Sequence, residues 1–102
     1  MRILVIDDES KTRTGIIRLI KSLDPNFFVI GEAENGYDGM LLIKKHRPDV
    51  VITDIMMPRI NGLDMIANVK ELSPDTRFLI LSGYAEFDLK AGDETFRSRL
   101  PA

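Results

Sequence analysis

The chain contains no cysteine, which excludes a disulfide framework, a thiol nucleophile and any cysteine-ligated metal site. Long apolar runs are missing too. None approaches the ~20 residues a membrane span needs, and Met1-Arg2-Ile3 leads into a strand rather than a signal sequence. Neither sign of charge dominates: fourteen basic against sixteen acidic residues leave −2, so the balance does not point to a nucleic-acid surface. The single histidine, His46, lies in the basic cluster Lys44-Lys45-His46-Arg47 and reads as a solvated helix end rather than a catalyst. No internal repeat, low-complexity segment or linker is visible. The expectation is one soluble, cytoplasmic domain of 102 residues, enough for one core though short for most doubly wound folds.

What is there alternates between strand and helix. Arg2 to Ile6 is a short apolar strand ending in Asp7-Asp8-Glu9. Ser10 is placed to cap a helix whose apolar stripe is Ile16, Leu19, Ile20 and Leu23, and Asp24-Pro25-Asn26 stops it. Phe27 to Ile30 reads as a second strand closed by Gly31. Asn35-Gly36 then opens a helix with Asp38 near its N-terminus, a stripe of Met40, Leu41 and Ile43, and positive charge at its end. Asp49 to Asp54 is a third strand. Leu63, Ile66 and Val69 mark a third helix ending near Ser73-Pro74, and Arg77 to Gly83 is a fourth strand. Such alternation with short connections predicts a parallel sheet with helices on both faces. The order fails after Tyr84, and the last dozen residues read as frayed, helical or irregular. The five methionines read as core filler.

Val50-Val51-Ile52-Thr53 is β-branched throughout and runs directly into Asp54, as a strand buried on both faces would. Open α/β sheets bind ligands at the carboxyl ends of their strands. Asp7 and Asp8 follow the first strand, Asp54 the third and Ser82 the fourth, so the four side chains converge on one sheet edge. Three close carboxylates repel one another and raise each other's pKa. A hard cation relieves that repulsion, and oxygen-only ligands suit Mg²⁺, with the Met56 backbone carbonyl as a further ligand. Asp54 then serves as nucleophile toward a phosphoryl group, and Ser82 donates a hydroxyl hydrogen bond to a phosphoryl oxygen. Pro58 and Gly62 read as turn punctuation.

The blocks Ile3 to Glu9, Asp49 to Pro58, Asn61-Gly62-Leu63 and Leu79 to Tyr84, with their spacing, resemble two-component response-regulator receiver domains. The wording around Asp54 to Asp64 and Ser82 to Phe87 is similar to receivers that precede AraC-type DNA-binding domains. The resemblance implies an α/β, flavodoxin-like doubly wound parallel sheet, of strand order 2-1-3-4 here, with the usual fifth strand and last helix missing or replaced. It implies a receiver core over 1–88 and an atypical tail over 89–102. Asp54 would accept a phosphoryl group from a phosphohistidine of a sensor histidine kinase. Asp7, Asp8, Asp54 and the Met56 carbonyl would hold Mg²⁺, with Asp7 acting directly or through water, and Ser82 would be the switch hydroxyl. Such a chain is a phosphoacceptor rather than an enzyme, at most catalysing its own phosphorylation and dephosphorylation. DNA enters only through an output domain absent from this chain.

The tail departs from that family. The lysine of the family's fifth strand would fall beyond Ala102, Lys90 stands too early, and the aromatic switch position has only Phe96 as a stand-in. A truncated or altered chain is therefore expected, with the tail refolded over an exposed sheet edge, two chains paired through that edge or an exchanged tail, or an unstable product. The alternative function is a receiver-like interaction or dimerisation module without efficient phosphorylation. A flavodoxin-like nucleotide binder fits less well, because Asp7-Asp8-Glu9 would repel phosphate in the first loop.

Overall fold

Strand and helix alternate as the apolar pattern demands, in a computed structural model that describes residues 1–81. The order is β1 (Arg2–Ile6), α1 (Ser10–Leu23), β2 (Phe28–Ala33), α2 (Gly36–His46), β3 (Val50–Thr53), α3 (Gly62–Val69) and β4 (Arg77–Ile80). All pairings are parallel and the sheet order is β2-β1-β3-β4, the order expected from the sequence. Ser82, the fate of the tail and the question of a fifth strand lie outside the described residues. Among the described residues, no helix is long and apolar enough to cross a membrane.

The period of two along each strand divides the core between the sheet faces. Leu4, Ile6, Val51, Phe78 and Ile80 join Ile43 of α2 and Met65, Ile66 and Val69 of α3 in one buried cluster. Ile3, Val5 and Ile52 meet Ile20, Ile16 and Ile17 of α1 in the other. Each fully buried aliphatic side chain contributes about 1.5–3 kcal/mol. Burial on both faces fixes the register, because a slip of one residue would exchange the two sets.

Several local expectations are corrected. The strand β2 runs through Gly31 to Ala33 because β1 pairs with it along its whole length, with Ile30 as the extra residue where the register shifts. Glu9, not Ser10, occupies the N-cap of α1 and makes no side-chain cap bond. The cause is local: Asp7 Oδ1 accepts the Glu9 N–H at 2.8 Å, an Asx turn that brings the helix entry one residue forward. Leu19 and Leu23 are 59% and 64% exposed, since the contact face of α1 is centred on Ile16, Ile17 and Ile20. In α2 the buried line is Gly36, Gly39 and Ile43 with Met40 partly covered, and Leu41, on the opposite side, is 64% exposed while Leu42 packs. The helix α3 stops at Val69, and a turn beyond it is closed by buried hydroxyls. There Thr76 donates to the Pro48 carbonyl at 2.6 Å and lies 2.5 Å from Ser73 Oγ. Met57 and Met65 are core residues, whereas Met1 and Met56 are 49% and 74% exposed.

The caps of the other two helices follow their sequence. Asn35 and Asn61 each accept, through the side chain, the N–H three residues on, from Asp38 and Asp64, both at 2.8 Å. Asp38, in the first turn of α2, and Lys44, Lys45 and His46, in the last, match the helix dipole.

Candidate functional site

The site begins where the ladder ends. Ile6 pairs with Thr53 and Thr53 with Ile80, so Asp7, Asp54 and Leu81 leave the sheet at one level. Main-chain bonds continue one step past the strands. Asp7 N–H donates to the Ala33 carbonyl at 3.0 Å, Asp54 N–H to Ile6 at 3.2 Å and Leu81 N–H to Thr53 at 3.0 Å. One carboxylate oxygen each from Asp7, Asp8 and Asp54 lies within 4.8 Å of the others. Asp7 is buried, Asp54 half-buried and Asp8 exposed, so the cluster opens toward solvent. Glu9, Thr12, Ile16 and Leu81 complete the cleft around it.

Electrostatics follow from this crowding. Burial pushes the Asp7 carboxyl above the usual range; the Glu9 N–H opposes the rise, and the charges of Asp54, Asp8 and Glu9 add to it. Burial also raises Asp54, against hydrogen bonds from the Ile55 and Met56 N–H groups, with Asp8 and Glu9 adding repulsion. The Ile55 bond to Asp54 Oδ1 is 2.7 Å. Three acidic oxygen donors with this strain suit a hard divalent cation.

The loop after Asp54 is folded back beneath it. Pro58 and Ile60 are joined by a 2.8 Å hydrogen bond across Arg59, whose φ is 74°, a strained γ-turn for a residue with a side chain. Arg59 rests on the Tyr37 ring, 4.9 Å from its centroid. Gly62 then donates to the Ile55 carbonyl at 2.9 Å. A Cβ at Gly62 would strike the Asp54 carbonyl oxygen and sit 3.2 Å from both the Asp54 carbonyl carbon and Ile55 Cα. Gly62 is thus a requirement of close backbone approach, beyond the turn role its sequence position suggests. The sequence signal for it is the spacing of Gly62 from Asp54; the contact itself is tertiary.

Of the sequence-derived site residues, Asp7, Asp8 and Asp54 are brought together. The Met56 side chain points to solvent while its N–H bonds the Asp54 carboxylate. Ser82 lies outside the described residues. Arg13, which reasoning from the sequence passed over, contacts the Asp7 main chain.

A parallel α/β sheet of order β2-β1-β3-β4 with a carboxylate trio at its carboxyl edge is the class of protein described so far, and comparison with known proteins makes the class specific. Residues 3–93 match the family model for the response regulator receiver domain. The chain belongs to the response regulator receiver domain family. It is 38% identical over 92 residues to an uncharacterised response regulatory protein of Staphylococcus epidermidis and 39% identical over 92 residues to the transcriptional regulatory protein HptR of Staphylococcus aureus. Each alignment covers 89% of this chain and 36% of the relative, so the chain spans about a third of the length of these curated relatives. Among solved structures it is similar to a two-component transcriptional regulator AraC from Clostridium phytofermentans, with 36% identity, TM-score 0.76, and 96% and 77% of the two chains covered. It is also similar to the response regulator domain of Thermotoga maritima CheB, with 26% identity, TM-score 0.81, and 97% and 78% covered.

Proposed function

We propose that this chain is the phosphoacceptor module of a two-component response regulator, taking a phosphoryl group from a phosphohistidine of a sensor histidine kinase onto Asp54 to control a transcriptional output. The observation that carries the reading is the trio Asp7, Asp8 and Asp54, with oxygens within 4.8 Å at the ends of two interior strands. Asp7, Asp8, Asp54 and the Met56 carbonyl would hold Mg²⁺, which when bound supplies charge neutralisation for an incoming phosphoryl group. An Asp54 carboxylate oxygen attacks phosphorus, the P–N bond to the imidazole breaks, and the imidazole nitrogen takes up a proton. The Ile55 and Met56 N–H groups hold the carboxylate and offset part of the desolvation that raises its pKa. Ser82 is the hydroxyl assigned to the phosphoryl oxygens. The transcriptional output belongs to a longer protein, as the name of the Staphylococcus aureus relative suggests.

Incubation with Mg²⁺ and a small acyl phosphate is expected to add one phosphoryl group, seen by intact-mass spectrometry, and Asp54→Asn is expected to add none. An unmodified wild type, or equal modification of Asp54→Asn, would overturn the reading and leave an interaction module in its place.

A further inference from the structure

Arg13 stands near the start of α1, and its side chain is only 15% exposed. Its guanidinium is held at two points on different strand ends. Nε donates to Glu32 Oε1 of β2 at 2.6 Å, and Nη1 donates to the Asp7 main-chain oxygen at 2.7 Å. Arg13 N–H also donates to the Glu9 carbonyl at 2.9 Å, so side chain and main chain both grip the turn between β1 and α1. With this, every polar group of the Asp7 main chain is committed: its N–H to Ala33 and its carbonyl to Arg13. The carbonyl belongs to the peptide joining Asp7 to Asp8. Fixing that plane places the Asp8 nitrogen and Cα, and so the base from which the exposed Asp8 side chain leaves the strand.

We propose that Arg13 is a positioning residue for divalent-cation binding, locking the Asp7–Asp8 peptide so that both carboxylates face Asp54, and that Glu32 acts only through Arg13. The inference rests on reading the carboxylate trio as a cation site. Two roles of Arg13 predict opposite signs. As a mere positive charge near the cluster it would oppose a cation, and its removal would tighten binding. As the brace of a ligand-bearing peptide it lowers the cost of assembling the site, and its removal loosens binding. Lysine keeps the charge but lacks the planar fork that reaches both partners.

The test uses Mn²⁺ alone, counted as free ion by electron paramagnetic resonance, with the full chain and its variants. Loss of a residue that orients a ligand is expected to weaken Mn²⁺ about tenfold in both Arg13→Met and Arg13→Lys. Glu32→Gln is expected to weaken it less, and Arg13→Met/Glu32→Gln no more than Arg13→Met alone, because Glu32 works through the same fork. The Mg²⁺ concentration that half-saturates phosphorylation is expected to rise while the rate at saturating Mg²⁺ is retained, a split that general destabilisation would not give. If Arg13→Met does not fold, Arg13→Lys and Glu32→Gln carry the test. Wild-type binding with unchanged or tighter binding in the Arg13 variants, or additive effects of Arg13 and Glu32, overturns the proposal alone. No Mn²⁺ binding by the wild type overturns the cation-site reading and the proposal with it.

Discussion

Replacing Gly62 by alanine and, separately, Gly15 by alanine makes one chemical change with opposite expected signs. At Gly62 the new methyl meets only backbone: the Asp54 carbonyl oxygen, the Asp54 carbonyl carbon and Ile55 Cα. No flexible side-chain end is available to give way, so the loop must move. Overpacking of this kind costs about 1–3 kcal/mol. The shift also strains the Gly62 N–H bond to Ile55, which is worth about 1 kcal/mol. Alanine recovers at most roughly 0.5–1 kcal/mol in helix preference, and less in the first turn of α3 where Gly62 sits. The net expectation is a loss of about 2 kcal/mol, or roughly 8–16 °C in Tm for a chain of this size. Gly15 lies within α1, where a methyl group would point into open space, so its alanine variant should gain about 0.5–1 kcal/mol. Urea unfolding followed by far-ultraviolet circular dichroism gives both values. A Gly62→Ala variant as stable as wild type, or a destabilised Gly15→Ala variant, would refute the close-approach argument. Because the displaced backbone is that of Asp54, the phosphorylation rate should fall in Gly62→Ala and stay unchanged in Gly15→Ala.

The raised Asp7 and Asp54 carboxyls mean that the folded chain keeps protons the unfolded chain has already released. Stability without metal therefore falls as pH rises through the window between unfolded and folded pKa, and returns on acidification. Asp54→Asn and Asp7→Asn keep the amide-bonded acceptor oxygen while removing charge, so each should be more stable than wild type near neutral pH, with a flatter pH dependence; lower urea midpoints would contradict this. Asn35→Ala and Asn61→Ala should each cost about 1 kcal/mol by leaving the Asp38 and Asp64 N–H groups uncapped, measured as loss of Tm. Thr76→Val leaves the buried Pro48 carbonyl and Ser73 hydroxyl without their partner and should cost about 1–3 kcal/mol, with the urea midpoint lowered and the slope unchanged.

The sheet and the carboxylates were legible because they rest on short-range signals. Val50 to Thr53 can bury both faces only inside a parallel sheet, and an acid following such a strand lands on the ligand edge. Asn35 announces its helix because a cap is local chemistry. What sequence reasoning missed depends on contacts between distant segments. Gly31 looks like a stop until β1 is seen pairing through it to Ala33. Leu41 and Leu42 are equivalent by composition, and only the close packing of Gly39 on Ile6 and Met65 decides which leucine faces the core. Arg13 reads as one more surface cation on an amphipathic helix, since neither Glu32 nor the Asp7 carbonyl is near enough in sequence to mark it.

The shared end of the ladder has a consequence for folding. Ile6, Thr53 and Ile80 stand side by side, and the carboxylates of Asp7 and Asp54 begin one residue later. A slip of one residue between β1 and β3 would displace one carboxylate by about 3.3 Å along the strand and turn it to the other face. Misregistered and native sheets can hold similar amounts of strand and helix, and so look alike to circular dichroism. They differ in whether three acids meet. On the proposed cation-site reading, divalent-cation affinity gauges strand alignment, and a refolding chain is expected to gain it only after its first and third strands have found the native register.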